Sequence, residues 1–188
     1  AGQLSIRWIE RKINQYLNKL LKTDKDYVIA SDTDSIYVRF DELISMVNPK
    51  NPIDFLNTIA NEKIEPYIEK SYQQLADYTS AYEQKMIMKR EVIADKGIWT
   101  AKKRYILNAW DVEGVRYKKP QLKIMGIEAV KSSTPAPCRQ KIKEALEIIM
   151  SGSEEDLNDF LIKFRKEFDS LAPEDIAYPR SINGIRKW

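Results

Sequence analysis

Two short β-prone runs, Tyr27-Val28-Ile29-Ala30 and Ile36-Tyr37-Val38-Arg39-Phe40, flank five consecutive polar residues, Ser31-Asp32-Thr33-Asp34-Ser35. This arrangement predicts a β-hairpin with a carboxylate-bearing tip. On extended backbone, side chains two residues apart share a face, which would put Asp32 and Asp34 side by side. Like charges so placed repel, and a divalent cation stabilises both in ionised form. Mg²⁺ takes one or two carboxylates and completes its shell with water and phosphate oxygens. Asp, Thr and Ser are also ordinary turn residues that bond their own backbone, and for a lone Asp-Thr-Asp that is the commoner explanation. A calcium loop of the EF-hand type fails on spacing. Counted from Asp32, it needs Gly at the sixth position and Glu at the twelfth, where this chain has Tyr37 and Leu43.

The residue inventory narrows the chemistry further. The 188 residues contain no His and a single Cys, Cys138. Internal disulfides are therefore excluded, a zinc site is disfavoured, and Ser-His or Cys-His nucleophilic catalysis is absent. One thiol fits a reducing compartment. Carboxylates, Lys, Tyr and hydroxyls remain, a set suited to hard, oxygen-liganded metals. Apolar runs are only a few residues long, so the sequence predicts no membrane span. The first residues lack both Met and a basic-then-apolar signal pattern, as expected of a piece of a longer chain. Residues 95–131 hold nine Lys and Arg against four Asp and Glu, an excess of five, which leaves −2 for the rest of a chain of net charge +3. A positive stretch on a near-neutral chain points to a polyanionic partner, or to a solvated strand face.

Periodicity supplies the layout. Ile6, Ile9, Ile13, Tyr16, Leu17 and Leu20 recur at helical spacing and predict a helix over 3–21. After the breaker-rich Asn48-Pro49-Lys50-Asn51-Pro52, the apolar series from Phe55 to Leu75 predicts a long helix ending near Thr79. From Gln84 the period changes to two, and strands are expected at 85–94, 98–110 and 115–117, the last two joined by a turn in which Gly114 supplies a positive φ. Helices return at 138–150 and 154–169, the second capped around Ser153, and 172–188 reads as irregular chain. The fold class is α+β, helices on a mostly antiparallel sheet followed by a helical extension, with a boundary near 131–137.

With these residues in place the chain resembles a family B DNA polymerase, most like the replicative polymerases of T-even-type bacteriophages. Their Tyr-Gly-Asp-Thr-Asp-Ser signature is matched here by Ala30-Ser31-Asp32-Thr33-Asp34-Ser35, with Ala30 and Ser31 as departures. Lys102-Lys103-Arg104-Tyr105 resembles the family's primer-gripping Lys-Lys-Arg-Tyr element. Trp8-Ile9-Glu10-Arg11-Lys12 precedes the first motif. Trp110-Asp111-Val112-Glu113-Gly114, Lys123-Ile124-Met125-Gly126-Ile127-Glu128 and Lys131-Ser132-Ser133-Thr134-Pro135 follow the second, so that the likeness covers nearly the whole chain.

The resemblance implies a palm portion over residues 1–130 and the base of a thumb over 131–188. It implies a DNA-directed DNA polymerase that joins a deoxynucleoside triphosphate to a primer 3′-hydroxyl with two Mg²⁺ ions. Asp34 is then a catalytic metal ligand, Asp32 supports it, and Glu91 approaches the same metals. Thr33 lies near the primer terminus, Lys102, Lys103, Tyr105 and Lys131 contact DNA, and Arg104 either joins them or turns into a structural ion pair. Such lysine contacts hold phosphates without reading bases and weaken with salt. The implied partners are primer-template DNA, deoxynucleoside triphosphate and the remaining palm and fingers, in a host-cell cytoplasm. The Asp-x-x-Ser-Leu-Tyr-Pro and fingers-helix motifs are not in this sequence, nor are exonuclease motifs. The isolated chain is therefore expected to be inactive. Two alternatives are a non-catalytic DNA-binding remnant and one subunit of a split polymerase. The second predicts an exposed sheet edge open to a partner or to self-association.

Overall fold

The computed structural model describes residues 2–181 and 184. The chain forms two compact units. One comprises Ala1–Ile93 with Trp110–Tyr117, the other Ala94–Ala109 with Lys118–Trp188.

In the first unit, helix α1 (Gly2–Leu21) buries Ile9, Ile13 and Leu17, each one turn from the next, so that a single stripe faces inward. Strands β1 (Val28–Asp32) and β2 (Ser35–Val38) form the expected hairpin, with Tyr27 and Val28 buried at its base. A short helix α2 (Asp41–Val47) follows, which periodicity did not reveal because seven residues give barely two turns. The long helix expected after Pro52 is present but interrupted. Helix α3 (Pro52–Ile59) starts where the Asn51 side chain accepts from the Ile53 and Asp54 amides, a stretch of wider π turns spans Ala60–Ile64, and helix α4 (Glu65–Tyr78) continues the line. Ile64, Ile68, Tyr72 and Leu75 pack with the α1 stripe and the hairpin base into one core. At ~1.5–3 kcal/mol per fully buried large apolar side chain, this cluster is the main stabilising element of the unit.

The expected strand at 85–94 is corrected in part. Residues 85–91 carry no strand pairing, and strand β3 runs Val92–Ala101. Burial nevertheless alternates from Gln84 to Glu91, so the chain is extended, with Met86 and Met88 packed on the core. The single strand expected at 98–110 is instead two, because β3 ends at Ala101 and β4 runs Arg104–Val112. Lys102 and Lys103 are the turn between them. Strand β5 runs Val115–Met125, well beyond the 115–117 expected. These strands form a second, antiparallel sheet in the order β3-β4-β5. The turn before β5 has φ of 51° at Glu113 and 86° at Gly114, the two positive values that a two-residue hairpin favours.

In the second unit, a 3₁₀ turn (Glu128–Val130) leads to helix α5 (Ala136–Ser151), and helix α6 (Glu154–Phe168) follows. Ser153 caps α6 as expected, its hydroxyl accepting from the Asp156 amide while the Asp156 carboxylate accepts from Ser153. Ile106, Ile127, Ala129, Leu146 and Met150 form the core here, and Lys96 donates to the Met150 carbonyl at the end of α5 (2.6 Å). Within the stretch read as irregular, Pro173–Ile176 form one short helix, α7. The observed mixture of helices and two small antiparallel sheets is α+β. No helix among the described residues is long and apolar enough to cross a membrane.

Candidate functional site

The carboxylate turn stands on a well-anchored base. The Asn14 side chain of α1 accepts from the Tyr27 and Val28 amides (2.8 and 3.1 Å), satisfying donors at the entrance to β1. The Tyr27 carbonyl accepts from Arg39 (2.8 Å). The buried Tyr27 hydroxyl lies 2.7 Å from Thr23 Oγ1 and donates to Glu42 (2.9 Å). Lys25 also binds Glu42, and the hydrogen bonds from Lys25 and then Tyr27 hold the Glu42 carboxyl below its ordinary range.

From that base the register runs Val28↔Val38, Ala30↔Tyr37, Ser31↔Ile36 and Asp32↔Ser35, with a bulge between Val28 and Ala30. Asp32 is thus the last paired residue, and Thr33 and Asp34 are the turn itself. The alternation expected to put both carboxylates on one face applies to extended backbone and does not carry across a two-residue turn. Asp32 Oδ1 accepts from the Thr33 amide (2.8 Å) and hydroxyl (3.2 Å), which fixes the turn locally. Asp34 projects from the tip, exposed, and its side chain makes no hydrogen bond or ion pair among the described residues. Neither Thr33 nor Asp34 has a positive φ, nor does Ser31. Ser31 therefore occupies the place of the signature's Gly without backbone strain.

Glu91 is exposed at the end of the extended segment before β3. Among the described residues no three or more His, Cys, Asp or Glu gather in a group able to hold a metal ion, so Asp32, Asp34 and Glu91 are not drawn into one cluster. Three carboxylates without a cation would repel strongly. What holds the Glu91 segment is a buried ionic group that the sequence did not reveal. Asp111, 2% exposed, accepts from the Arg90 guanidinium, from Arg116 Nε (3.1 Å) and from the Gly114 amide (3.1 Å). Arg90 also donates to Asn57 (2.7 Å), and Arg116 to Asp54 (2.5 Å). The Arg90 amide donates to Glu65 (2.8 Å) and the Glu91 carbonyl accepts from Glu113 (2.6 Å). Burial pushes the Asp111 carboxyl up, but the two arginines and the Gly114 amide outweigh it and leave it below the ordinary range.

The basic motif lies in the second unit. Lys102 and Lys103 are exposed at the tip between β3 and β4, the opposite of the strand position expected of them. Lys103 has a φ of 59°, which costs an L-residue on the order of 1–2 kcal/mol. Tyr105 points inward, 7% exposed, its ring 6.3 Å from that of Trp99. Arg104 binds both Glu128 oxygens (2.8 and 2.5 Å), the ion pair that was one of its two expected roles. Lys131 binds the same carboxylate (2.9 Å). The Lys131 hydrogen bond is the foremost cause holding the Glu128 carboxyl below its ordinary range. Gly126, quoted above only as part of the likeness and given no role there, has a φ of 67°.

No family model matches the chain. Curated relatives do. The whole chain aligns, at 39% identity over 202 aligned positions, with a DNA-directed DNA polymerase of Enterobacteria phage T4, and at 41% with one of Escherichia phage RB69. The chain belongs with the T-even-type phage DNA polymerases. It spans 22% of the length of each of these two relatives.

Proposed function

We propose that the chain is the part of a template-directed DNA polymerase that carries one carboxylate turn of the nucleotidyl-transfer site and one basic turn that grips the primer strand. The observation that carries this is the hairpin tip, where Asp34 stands in the turn with no side-chain partner among the described residues and Asp32 is the last paired residue of the strands. Asp34 is the metal ligand and Asp32 the supporting one. The donor set fits Mg²⁺, a hard cation content with one or two carboxylates plus phosphate oxygens, and bound there it would stabilise charge developing on the transferring phosphate. Glu91 completes the set only if its segment is brought to the turn. Thr33, through its two bonds to Asp32 Oδ1, keeps the tip rigid near the primer end.

Lys102, Lys103 and Lys131 hold primer phosphates, and Arg104 supports them from its pair with Glu128. Tyr105 contributes by packing under the turn. In this reading the palm corresponds to 1–130 and the start of the thumb to 131–188, a division that differs from the two compact units. The partners are primer-template DNA, a deoxynucleoside triphosphate and the remaining palm and fingers.

The test is a chimera in which this chain replaces the aligned stretch of the phage RB69 relative. Primer extension with Mg²⁺ within about tenfold of the parent supports the reading. A folded, DNA-binding chimera without extension sinks it. The 188-residue chain alone incorporates no nucleotide, since the other catalytic motifs are not in its sequence. One observation favours association with a separate chain as a second reading. Among the described residues the β1-β2 sheet has two strands, so each strand has one edge without a neighbour in the sheet, and such edges accept a partner strand or a second copy. Sedimentation of the chain from low to high concentration, showing a single monomeric species throughout, would remove the self-association form of this reading.

A further inference from the structure

The basic turn has nothing in its own sequence to set its shape. Ala101-Lys102-Lys103-Arg104 contains no Gly, Asn or Asp, yet Lys103 sits in the left-handed region, which L side chains rarely adopt. Its position must be imposed from outside the turn.

The neighbour that imposes it lies in the same unit. Gly126, directly after β5, has a φ of 67°, and a Cβ placed on it would come closer than 3.0 Å to the Lys103 carbonyl oxygen. That Cβ would also stand 3.2 Å from the Lys103 carbonyl carbon and 3.2 Å from Arg104 Cγ. The space that a side chain at 126 would need is thus taken by the Lys103 carbonyl group. Two residues on, Glu128 takes the Arg104 guanidinium with both oxygens. The turn is therefore held at two successive residues, Lys103 by backbone contact and Arg104 by a bidentate ion pair.

We propose that Gly126 is a positioning residue for the basic turn, fixing where Lys102 and Lys103 present their ammonium groups to a nucleic-acid backbone. This rests on the reading of the turn as a DNA grip. Any L-residue at 126 has to displace the Lys103 peptide by on the order of 1 Å to restore ordinary contact distance. The two lysines and Arg104 move with it, while the basic groups outside the turn keep their places.

The experiment measures binding of a labelled primer-template duplex by fluorescence anisotropy across a salt series, for the wild-type chain, K102A/K103A, G126A and the triple variant. Hydrogen exchange of the free proteins is measured in parallel. Removing both lysines lowers the salt slope by about two. G126A lowers low-salt affinity about tenfold, and this loss disappears in the K102A/K103A background, which a general loss of structure would not produce. Amides of Lys103 to Tyr105 exchange at least tenfold faster in G126A, while those of Ile13 to Leu17 do not change. If the lysine pair leaves affinity and slope untouched, the DNA-grip reading fails, and the exchange data alone decide whether Gly126 sets the turn. Wild-type exchange at the turn in G126A overturns the proposal, as does a G126A loss that persists without the lysines. Gly126→Asn, which tolerates positive φ but crowds Lys103 equally, is the second variant. Unfolding of the second unit in both variants overturns the proposal in favour of a purely folding role.

Discussion

Asp111→Ala tests the ionic group that holds the Glu91 segment. The side chain is 3% exposed and Arg90, its main partner, 14%, so solvent screens this pair little. Removing one partner of a buried ion pair costs about 3–5 kcal/mol, chiefly by leaving the other charge unpaired. Two features place the expected loss at the lower end. Arg90 keeps its hydrogen bond to Asn57, and Arg116, with a side chain 35% exposed, keeps Asp54 and contributes little. The expected destabilisation is about 3 kcal/mol, a large share of the ~5–15 kcal/mol that holds a typical protein folded. For a chain of this length it lowers the thermal midpoint by roughly 6–12 °C. Urea melts followed by circular dichroism measure it, with Asp54→Ala as the exposed-pair control expected to cost under about 1 kcal/mol. A loss below about 1 kcal/mol for Asp111→Ala would refute the argument, because the Arg90 pair would then not be the buried support described.

The same group predicts the acid limb of stability. Asp111 is held below its unfolded range, so its contribution is fully present above the unfolded value, ~pH 4, and is lost as pH falls through the folded value. Urea midpoints should therefore fall below ~pH 4 in the wild type and less steeply in Asp111→Asn; parallel profiles would contradict this. In the second unit, Ser153→Ala removes the α6 capping box and should cost about 1 kcal/mol, read as faster hydrogen exchange in the first turn of α6.

Much of the fold was legible where a local pattern and its tertiary use coincide. The stripe Ile9, Ile13, Leu17, the hairpin around Asp32 and Asp34, the Gly114 turn and the Ser153 cap all follow from spacing or local chemistry. Three features were not. The alternation from Gln84 to Glu91 was correctly extended, yet alternation reports which side is buried, not whether a neighbouring strand pairs. The turn at Lys102-Lys103 has no turn residues, since contact with Gly126 rather than local preference sets it. Asp111 falls in the turn expected between two strands, and only partners 21 residues before it and 5 after it reveal why it is buried. For the candidate site the motif was legible but its geometry was not. The residue types and order pointed to the polymerase likeness, whereas the placement of Asp34 in the turn and of Tyr105 inward depends on register and packing.

Asp34 is the residue we propose as ligand to the catalytic metal. Asp34→Asn in the active chimera, assayed by single-turnover primer extension with Mg²⁺, keeps the side chain's size and removes its charge at an exposed tip where stability is little affected. The rate should fall by at least about 10³, equivalent to roughly 4 kcal/mol of transition-state stabilisation, with Asp32→Asn falling less and duplex affinity unchanged in both. Extension by Asp34→Asn within tenfold of the parent chimera would contradict the account.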